Sequence, residues 1–468
     1  MGNYDYDVLA IGAGTGGCSS SMRNADLGKT CAIIEERKNG TGGTCVNRGC
    51  IPTKTLLRTA CVMKEIKEAG KYGIKVEGVF VDPKLMQSAK KKTVMSLRFG
   101  LDNILLKKRG VDRIQGKGKI LDGHTVEVTN GSDVKIYTAE NIIVATGSEP
   151  ALIPAFNIDG KRILTSTEAL DLVAVPEEII VVGGGVVGLE FASIYNSIGS
   201  HVTVVEMLPK IIGPLHDNDI TNAVQANMEK EGIVFKLGVG IEKIITSEDG
   251  TKAVCTLQNG EIIEADYALV AIGRRINTGD LGLEEAGVKL TERGQVIIDN
   301  QMRTSVPSIF AVGDITAGPQ LSHKAQRQGV VAAEVISGME SYLDYETIPS
   351  AIFTDPEIAM VGMTEDDAEA AGIETITGEM NFTSNEKAIC MQHTDGLVKV
   401  TARKEDHVII GGHIFGPEAS VLIEEFALAV QLGLKLEDIA DNVHTHPTLS
   451  EIIMETCKLA LGKAFDKF

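Results

Sequence analysis

The feature that constrains this chain most is a glycine-rich pattern that occurs twice, 171 residues apart. In each copy a short apolar run leads into three glycines spaced as GxGxxG. An acidic residue closes the next apolar run, 23 residues after the first glycine. The two copies contain Gly12, Gly14, Gly17, Gly28 and Glu35, and Gly183, Gly185, Gly188, Gly199 and Glu206. The repeat predicts two units, each folded as strand, turn, helix and strand.

Each copy predicts a binding site for one dinucleotide. The glycines allow a tight turn and the close approach of a pyrophosphate, which the free N–H groups at the start of the helix can bind. Glu35 and Glu206 would each accept a hydrogen bond from a ribose hydroxyl. Glu206 would also repel a 2′-phosphate, which favours NAD over NADP. The alternative is a pair of tight turns that bind no ligand.

Three further apolar runs predict the strands that complete the two units. They are IIVATG at 142–147, ALVAIG at 268–273 and SIFAVGD at 308–314. The second unit is therefore expected to be inserted into the first, and an α+β domain is expected to follow. We predict an α/β fold with two Rossmann-like domains and a C-terminal interface domain. The segments are 1–147 for the first nucleotide domain, 148–273 for the second, 274–344 for the remainder of the first and 345–468 for the interface domain.

The interface domain lacks a glycine motif of its own and alternates apolar runs with amphipathic stretches. We predict strands at 351–353, 397–400 and 408–413 and helices at 420–432 and 450–461. A lysine-rich segment at 84–109, which includes Lys90, Lys91 and Lys92, is expected to be the solvated face of a helix.

Composition and charge exclude several classes of protein. The 468 residues include 64 acidic and 45 basic side chains, and a formal charge of −19 repels nucleic acid from most of the surface. No apolar run reaches the roughly 18 residues of a membrane span, and the first residues do not resemble a signal peptide. Eight cysteines are too sparse for a disulfide scaffold. We expect a soluble, cytoplasmic protein.

One pair of cysteines, Cys45 and Cys50, is close in sequence and needs its own explanation. In a regular helix, Cα atoms five residues apart are about 8 to 9 Å distant. A disulfide needs less than about 7 Å. Either the two thiols do not pair or the helix is distorted between them, where Gly49 and Pro52 allow a distortion. Two unrelated free cysteines remain the alternative.

A second stretch that contains candidate catalytic residues is HTHPTLSE at 444–451. Thr448 and Glu451 have the spacing of a helix capping box. A carboxylate one turn beyond a histidine can also orient the ring and stabilise its cationic form, so that His444 or His446 would be a general base. Pro447 favours an extended conformation at His446 and allows a cis peptide bond.

Four features together resemble the pyridine nucleotide-disulfide oxidoreductases. They are the two GxGxxG motifs, GGTCVNRGCIPTK at 42–54, GDITAGPQLSHKA at 313–325 and HTHPTLSE. The resemblance covers the whole chain and is strongest to the members that oxidise dihydrolipoamide. It implies FAD in the first unit, NAD in the second and a homodimer whose active site joins both chains. Its partners would be lipoyl-bearing proteins of a 2-oxoacid dehydrogenase complex or of the glycine cleavage system, and no metal is implied.

The resemblance also implies catalytic roles for single residues. Cys45 would exchange with the substrate, and Cys50 would face the flavin, as a disulfide pair in the oxidised enzyme. His446, contributed by the other chain of the dimer and held by Glu451, would be the base. The thiolate of dihydrolipoamide would attack Cys45, and Cys50 would leave as a thiolate.

Cofactor contacts follow from the same resemblance. Lys54 and Glu190 would form an ion pair near the reactive flavin nitrogen, and Asp314 would bind the ribityl and phosphate region of the flavin. Further contacts with one or other cofactor are implied at Gly12, Gly14, Gly17, Glu35, Thr44, Gly118, Gly147, Ser322, Gly183, Gly185, Gly188, Glu206, Val239 and Gly273.

Several positions depart from the family pattern. Arg48 stands between the cysteines where an apolar residue is common, and it would raise the disulfide potential by stabilising a thiolate. Ile276, Gln328 and Glu386 also differ from the usual residues, although none of these changes removes a catalytic group. Because of Glu386, the resemblance does not predict how this chain forms the rim of the substrate channel or the dimer contact.

Other functions remain open. Glutathione-type reductases share the implied architecture but use NADPH, and they need basic residues where Glu206 stands. Mercuric reductases carry a C-terminal cysteine pair, whereas Cys457 is single. A flavoprotein scaffold without turnover would make the cysteines incidental.

Overall fold

The computed structural model describes residues 4–213 and 217–463. The strands in this part of the chain are β1 (Tyr6–Ile11), β2 (Cys31–Glu35), β3 (Asp112–Gln115), β4 (Lys117–Ile120), β5 (Thr125–Asn130), β6 (Asp133–Val144), β7 (Ser148–Pro150), β8 (Ile163–Thr165), β9 (Glu178–Val182), β10 (His201–Glu206), β11 (Val234–Leu237), β12 (Ile241–Thr246), β13 (Ala253–Leu257), β14 (Ile262–Ala265), β15 (Tyr267–Val270), β16 (Arg274–Ile276), β17 (Ile309–Ala311), β18 (Ser350–Ile352), β19 (Glu357–Gly362), β20 (Thr375–Asn381), β21 (Leu397–Arg403) and β22 (Ile409–Gly416).

The helices, in the same order, are α1 (Thr15–Asp26), α2 (Gly43–Arg48), α3 (Cys50–Glu68), α4 (Pro83–Phe99), α5 (Ser166–Ala169), α6 (Val186–Ile198), α7 (Asn218–Lys230), α8 (Ser322–Ile336), α9 (Glu365–Ala370), α10 (Glu386–Met391), α11 (Ala419–Leu432), α12 (Leu436–Ala440) and α13 (Glu451–Ala460). A π-helix, Gly100–Leu106, continues α4.

The first of two compact units contains a seven-stranded sheet. The unit consists of Met1–Thr55, Gln87–Ala151 and Gly273–Tyr345. The strand order is β3-β2-β1-β6-β5-β4, and β17 also pairs with β6. The pairs among β3, β2, β1, β6 and β17 are parallel, whereas β4, β5 and the start of β6 pair in antiparallel fashion. Leu9 and Ile142, paired in register, are fully buried, as expected for the centre of a covered parallel sheet.

The second unit consists of Leu56–Met86, Leu152–Ile272 and Glu346–Phe468. It contains a five-stranded parallel sheet of order β11-β10-β9-β15-β8 and an antiparallel sheet of order β12-β13-β14. A third, antiparallel sheet has the order β18-β19-β22-β21-β20. The mixed α/β fold predicted from the sequence is therefore confirmed.

The three apolar runs predicted to complete the nucleotide-binding units form strands at the expected places. β6 ends at Val144 and pairs with β1, β15 pairs with β9, and β17 pairs with β6. In the last 120 residues, β18, β21, β22, α11 and α13 coincide with the predicted strands and helices to within a few residues. The apolar periodicity of each run was sufficient for these assignments.

The predicted division into four segments stays a prediction. Three of the five changes from one compact unit to the other fall at residues 151, 272 and 345, beside the predicted boundaries at 147, 273 and 344. The second unit, however, combines the predicted second nucleotide domain with the interface domain, and it also takes in residues 56–86.

The prediction of a solvated lysine-rich face is wrong at one residue, Lys90. Lys91 and Lys92 are exposed, but Lys90 is only 4% exposed. It shares a helix face with Gln87 and Val94, three and four residues away, and both of these are buried as well. The exposure of Lys90 is therefore determined by its position on the inner face of α4 and not by the charge of the segment. No helix within residues 4–213 and 217–463 is long and apolar enough to span a membrane.

A buried ion pair connects α7 and β21 within the second unit. Lys399 lies 3.1 Å from Asp217 and 2.7 Å from Asp219, and the side chains of Lys399 and Asp217 are only 9% and 3% exposed. Asp217 also caps α7 by accepting a hydrogen bond from the amide of Ile220. His413 pairs with Lys399 across the sheet, and burial lowers its pKa to about 4. The histidine is therefore neutral at pH 7 and does not oppose the lysine charge.

Replacement of Lys399 by methionine is expected to lower the free energy of unfolding by about 3–5 kcal/mol, because it leaves the Asp217 carboxylate buried without a counter-charge. Urea denaturation measures the change. The double variant Lys399→Met with Asp217→Asn is the control, since asparagine can still cap α7 and leaves no unpaired charge. The double variant should recover most of the loss, and a single variant as stable as the wild type would contradict the analysis.

Candidate functional site

The glycine turn of the first unit is shaped by contacts with its own backbone. Gly12 has φ of +103°, and a Cβ atom there would clash with the carbonyl of Ala145. A Cβ atom on Gly17 would clash with the carbonyl of Gly12. Gly14 is different, because the nearest atom to its hypothetical Cβ is 3.9 Å away. The protein itself therefore requires Gly12 and Gly17, whereas Gly14 faces free space at the start of α1.

The turn of the second unit repeats this geometry. Gly183 has φ of +109°, and a Cβ atom there would clash with the carbonyl of Ala271. A Cβ atom on Gly188 would clash with Gly183, and Gly185 has no atom within 4 Å of its hypothetical Cβ. Both turns thus leave an open space at the middle glycine, next to the N–H groups of a helix. This is the shape that a pyrophosphate needs, so both units fit a dinucleotide.

The two acidic residues of the repeat hold these turns in place. Glu35 accepts hydrogen bonds from the amides of Ala13 (3.0 Å) and Arg37 (2.9 Å). Glu206 accepts hydrogen bonds from the equivalent amides, those of Gly184 (2.7 Å) and Leu208 (2.8 Å). A carboxylate has about four acceptor positions. Each residue can therefore hold its turn and also accept a ribose hydroxyl.

A cavity of about 720 Å³ lies within the first unit, beside the glycine turn. Its size is within the usual range of cofactor sites. It brings together six of the predicted cofactor contacts, which lie far apart in sequence: Gly12, Gly14, Glu35, Thr44, Gly118 and Gly147. The cavity and the turn together provide a site that fits a dinucleotide cofactor in this unit.

The remaining predicted contacts of the first unit lie in two places. Asp314 follows β17 and accepts a hydrogen bond from Ser148 (2.5 Å), which in turn binds the guanidinium of Arg274. Ser322, the first residue of α8, is 2.9 Å from the hydroxyl of Thr15, the first residue of α1. Both hydroxyls also hydrogen-bond to Cys45. Ser322 was expected at the cofactor and is also a neighbour of the reactive thiol.

In the second unit, Val239 donates its amide to the carbonyl of Glu206 (3.2 Å), which places it beside the second turn. Glu190 is buried on α6 and accepts a hydrogen bond from the amide of Phe353 (3.1 Å). Gly273 belongs to the first compact unit, where its carbonyl accepts a hydrogen bond from Ala151. The ion pair between Lys54 and Glu190 stays a prediction.

The two cysteines of the motif lie on either side of a helix break. Cys45 is on α2, and Cys50 begins α3. Gly49 between them has a non-helical conformation, with φ of −147° and ψ of −110°. The distortion that the sequence offered as one alternative is therefore present. The two side chains hydrogen-bond to each other, although both cysteines are free thiols in this structure.

The environment of Cys45 favours its thiolate form. The pKa of Cys45 is lowered to about 6, and the hydrogen bond from Cys50 is the largest cause. Hydrogen bonds from Ser322 and Thr15 and the charge of Lys54 contribute to this lowering, whereas burial opposes it. A thiol with this pKa is largely ionised at pH 7 and is a reactive nucleophile.

His446 has the contacts expected of a general base. Its Nδ1 atom is 3.0 Å from Glu451, and its side chain is 64% exposed. The hydrogen bond to Glu451 raises the pKa of His446, and the more distant Glu386, 4.0 Å from Nδ1, raises it further. His446 is thus oriented by a carboxylate and open to an incoming molecule. The peptide bond between His446 and Pro447 is cis.

His444 does not share these properties. Its side chain is 5% exposed, and its ring nitrogens contact Glu425 (3.1 Å) and the carbonyl of Asn442 (3.1 Å). The structure therefore favours His446 over His444 as the candidate base. The role of Glu425 was not predicted, because it lies on α11, 19 residues earlier in the chain.

The capping box predicted for Thr448 and Glu451 forms only in part. Glu451 accepts a hydrogen bond from the amide of Thr448 (2.7 Å), as a capping box requires. The hydroxyl of Thr448, however, donates to the carbonyl of Thr445 (2.7 Å), and α13 begins only at Glu451, after Ser450. Glu451 therefore holds the His446 loop and the His446 ring at the same time.

The sequence matches two family models over most of its length. Residues 6–329 match the pyridine nucleotide-disulphide oxidoreductase model, and residues 348–457 match the dimerisation domain of the same family.

The chain belongs to the pyridine nucleotide-disulphide oxidoreductase family.

FAD and NAD are accordingly its cofactors, which agrees with the two turns described above.

The alignments with similar proteins cover nearly the whole length of this chain. It is 42% identical to a dihydrolipoyl dehydrogenase of Geobacillus stearothermophilus over 98% of this chain and 97% of the relative. The crystal structure of LpdA from Mycobacterium tuberculosis has a TM-score of 0.90 at 28% identity and covers 96% of this chain and 99% of its own. The HOCl-induced flavoprotein disulfide reductase RclA from Escherichia coli has a TM-score of 0.86 at 26% identity, over 97% and 100% of the two chains.

The open space at the middle glycines can be tested by filling it. Gly14→Ala should leave the fold intact and weaken the retention of FAD by roughly tenfold or more, because the methyl group occupies the space for the pyrophosphate. Gly185→Ala should have the converse effect, with normal FAD and a raised KM for NAD. Flavin fluorescence and NADH formation measure the two effects. Equal loss of both cofactors in both variants would mean a general folding defect.

The lowered pKa of Cys45 can be measured through its alkylation. In protein reduced with dithiothreitol, iodoacetamide should modify Cys45 with a midpoint near pH 6, instead of the usual value of about 8.5 for a thiol. In Cys50→Ala, which removes the largest influence, the midpoint should move upward. Peptide mass spectrometry identifies the modified residue. An unchanged midpoint in this variant would show that Cys50 does not stabilise the thiolate.

Proposed function

We propose that this enzyme oxidises protein-bound dihydrolipoyl groups to lipoyl groups and transfers the electrons to NAD⁺. The observation that carries the proposal is the thiol pair at the Gly49 break, because one thiol has a pKa near 6 and both belong to the unit that provides the FAD site. The name and the 42% identity of the Geobacillus relative support the same substrate class.

The first step is a thiol–disulfide exchange that starts from a disulfide between Cys45 and Cys50. His446 accepts the proton from one thiol of the substrate, and the resulting thiolate attacks the Cys45 sulfur. Cys50 leaves as a thiolate. The second substrate thiol then displaces Cys45, which completes the lipoyl disulfide and leaves both enzyme sulfurs reduced.

The low pKa of Cys45 assists the second displacement, because a more acidic thiol is a better leaving group. The two electrons now reside on the thiol pair. Bound FAD supplies the two-electron chemistry that carries them to NAD⁺. Glu206 selects the nucleotide, since a carboxylate at this position disfavours a 2′-phosphate.

The proposal includes a homodimer and lipoyl-bearing partner proteins. The match of residues 348–457 to the dimerisation domain supports a homodimer, in which His446 of one chain would serve the thiol pair of the other. The division at residues 147, 273 and 344 would then separate the FAD, NAD and interface domains. The partners would be lipoyl-bearing proteins of a 2-oxoacid dehydrogenase complex or of the glycine cleavage system. The small number of cysteines fits a reducing cytoplasm.

A second candidate function is the reverse one, an NAD(P)H-dependent disulfide reductase. The structural similarity to RclA favours it, since that protein is named a flavoprotein disulfide reductase. The two functions differ in the preferred donor and acceptor. Formation of NADH from dihydrolipoamide and NAD⁺ supports the dehydrogenase, whereas rapid NADPH oxidation by a disulfide, with no activity toward dihydrolipoamide, would support the reductase.

Replacement of His446 by glutamine should slow dihydrolipoamide oxidation by about 10²–10⁴-fold, the usual contribution of a general base. Electron transfer from NADH to an artificial dye should stay near the wild-type rate, because it does not use the substrate base. Absorbance at the NADH band measures both reactions. Equal loss of the two activities would mean that His446 is structural.

The pH profile tests the carboxylate behind the base. His446 accepts a proton only when it is neutral, so oxidation should fall as the pH drops through its raised pKa. Glu451→Gln removes the largest cause of that rise, and the acid limb should move to lower pH. Glu386→Gln is the matched control and should produce a smaller shift in the same direction. A profile that is identical in all three proteins would exclude this role for Glu451.

A further inference from the structure

Most of the charged side chains that line the FAD cavity either have a hydrogen-bond or ion-pair partner or are exposed to water. Both carboxylate oxygens of Glu35 accept backbone amides. The guanidinium of Arg37 pairs with Glu149 (2.5 Å), and that of Arg98 donates to the side chain of Asn47 (3.2 Å). The remaining charged groups of the lining are exposed to water, with one exception, which is Arg48.

Arg48 is half-buried and ends α2. Among residues 4–213 and 217–463, its side chain has neither a hydrogen bond nor an ion pair. Removing part of the water from a cation without supplying a counter-charge costs free energy. A group of this kind at a cofactor cavity indicates that the neutralising charge belongs to the ligand.

The position of α2 identifies the part of the ligand concerned. Its first residue, Gly43, packs against the middle glycine of the turn, and a Cβ atom on Gly43 would lie 2.6 Å from the Cα atom of Gly14. Gly14, Gly43, Thr44 and Arg48 all line the same cavity. The anionic part of FAD is its diphosphate, and the open space at Gly14 is where the diphosphate fits. The flat, forked guanidinium is well suited to phosphate oxygens.

We propose that Arg48 binds the diphosphate of FAD and thereby retains the cofactor. The inference rests on the assignment of FAD to the first unit. The expectation that Arg48 raises the disulfide potential stays a separate prediction, and Arg48 is not among the main influences on the pKa of Cys45.

The test compares holoenzymes that carry three substitutions. Arg48→Met removes the charge with little change in side-chain length, and Arg48→Lys keeps the charge without the fork. Arg275→Met is the matched control, because Arg275 lines the same cavity but is exposed. The rate of FAD release on dilution is followed by the rise of free-flavin fluorescence, at low and at high NaCl concentration.

We expect Arg48→Met to release FAD about 10–100 times faster than the wild type, as expected for the loss of a charge-assisted contact. Arg48→Lys should be intermediate, and Arg275→Met should change the rate less than twofold. High salt should accelerate release from the wild type more than from Arg48→Met. Wild-type release from Arg48→Met, or equal effects of the two methionine variants, would overturn the proposal.

A redox titration separates this role from an effect on the thiols. The proportion of alkylated cysteine is measured in dithiothreitol buffers of varied ratio, and Arg48→Met should have the wild-type potential. A shifted potential with unchanged FAD release would assign Arg48 to the thiol pair and overturn the proposal. Should Arg48→Met be purified without flavin, titration of FAD into it must give a weakened affinity, and wild-type affinity would count against the proposal. An FAD-loaded wild type inactive toward dihydrolipoamide would refute only the proposed function.

Discussion

Both nucleotide-binding units depend on the contact between the third glycine of each motif and the carbonyl group of the first. Gly17 lies against Gly12, and Gly188 lies against Gly183, so closely that neither position accepts a Cβ atom. This contact fixes the distance between the first strand and the helix that follows it. The helix N-terminus then points at the space beside the middle glycine. A larger residue at the third position would move the helix and abolish the site for the pyrophosphate.

The acidic residue of each unit connects this turn to the rest of the sheet. Glu35 and Glu206 stand at the ends of β2 and β10, and each carboxylate accepts a hydrogen bond from the amide of the residue that follows the first glycine. The same side chain therefore shapes the turn and presents acceptors for the ribose. Because these hydrogen bonds repeat at the 171-residue offset, the repetition extends from the sequence to individual side-chain contacts.

Features with a local cause were predictable from the sequence. The glycine spacing, the returning strands and the distortion near Gly49 each follow from a few neighbouring residues. Contacts between distant segments were not predictable. Thr15 and Ser322 meet at Cys45 although they are 307 residues apart, and no local sequence pattern predicts this contact.

Local sequence alone allows either His444 or His446 to be the base, and the resemblance implies His446. The structure separates them by several contacts, because His446 meets Glu451 and is 64% exposed, whereas His444 is 5% exposed and contacts Glu425 on α11. The charge of its segment predicts a solvated position for Lys90, but the lysine is buried because it lies on the same inward face of α4 as Gln87 and Val94. Side-chain roles therefore required the tertiary structure, while the fold class did not.

The helix break at Gly49 has a consequence for how the motif can vary in length. Gly49 lies against Thr44, with a hypothetical Cβ atom 3.1 Å from its carbonyl oxygen, so the break is set by packing within the motif. An inserted or deleted residue between the sulfurs would rotate one of them by about 100° around the helix axis. The number of residues between the two sulfurs is therefore fixed by this geometry, because a motif one residue longer or shorter would turn one sulfur away from the other.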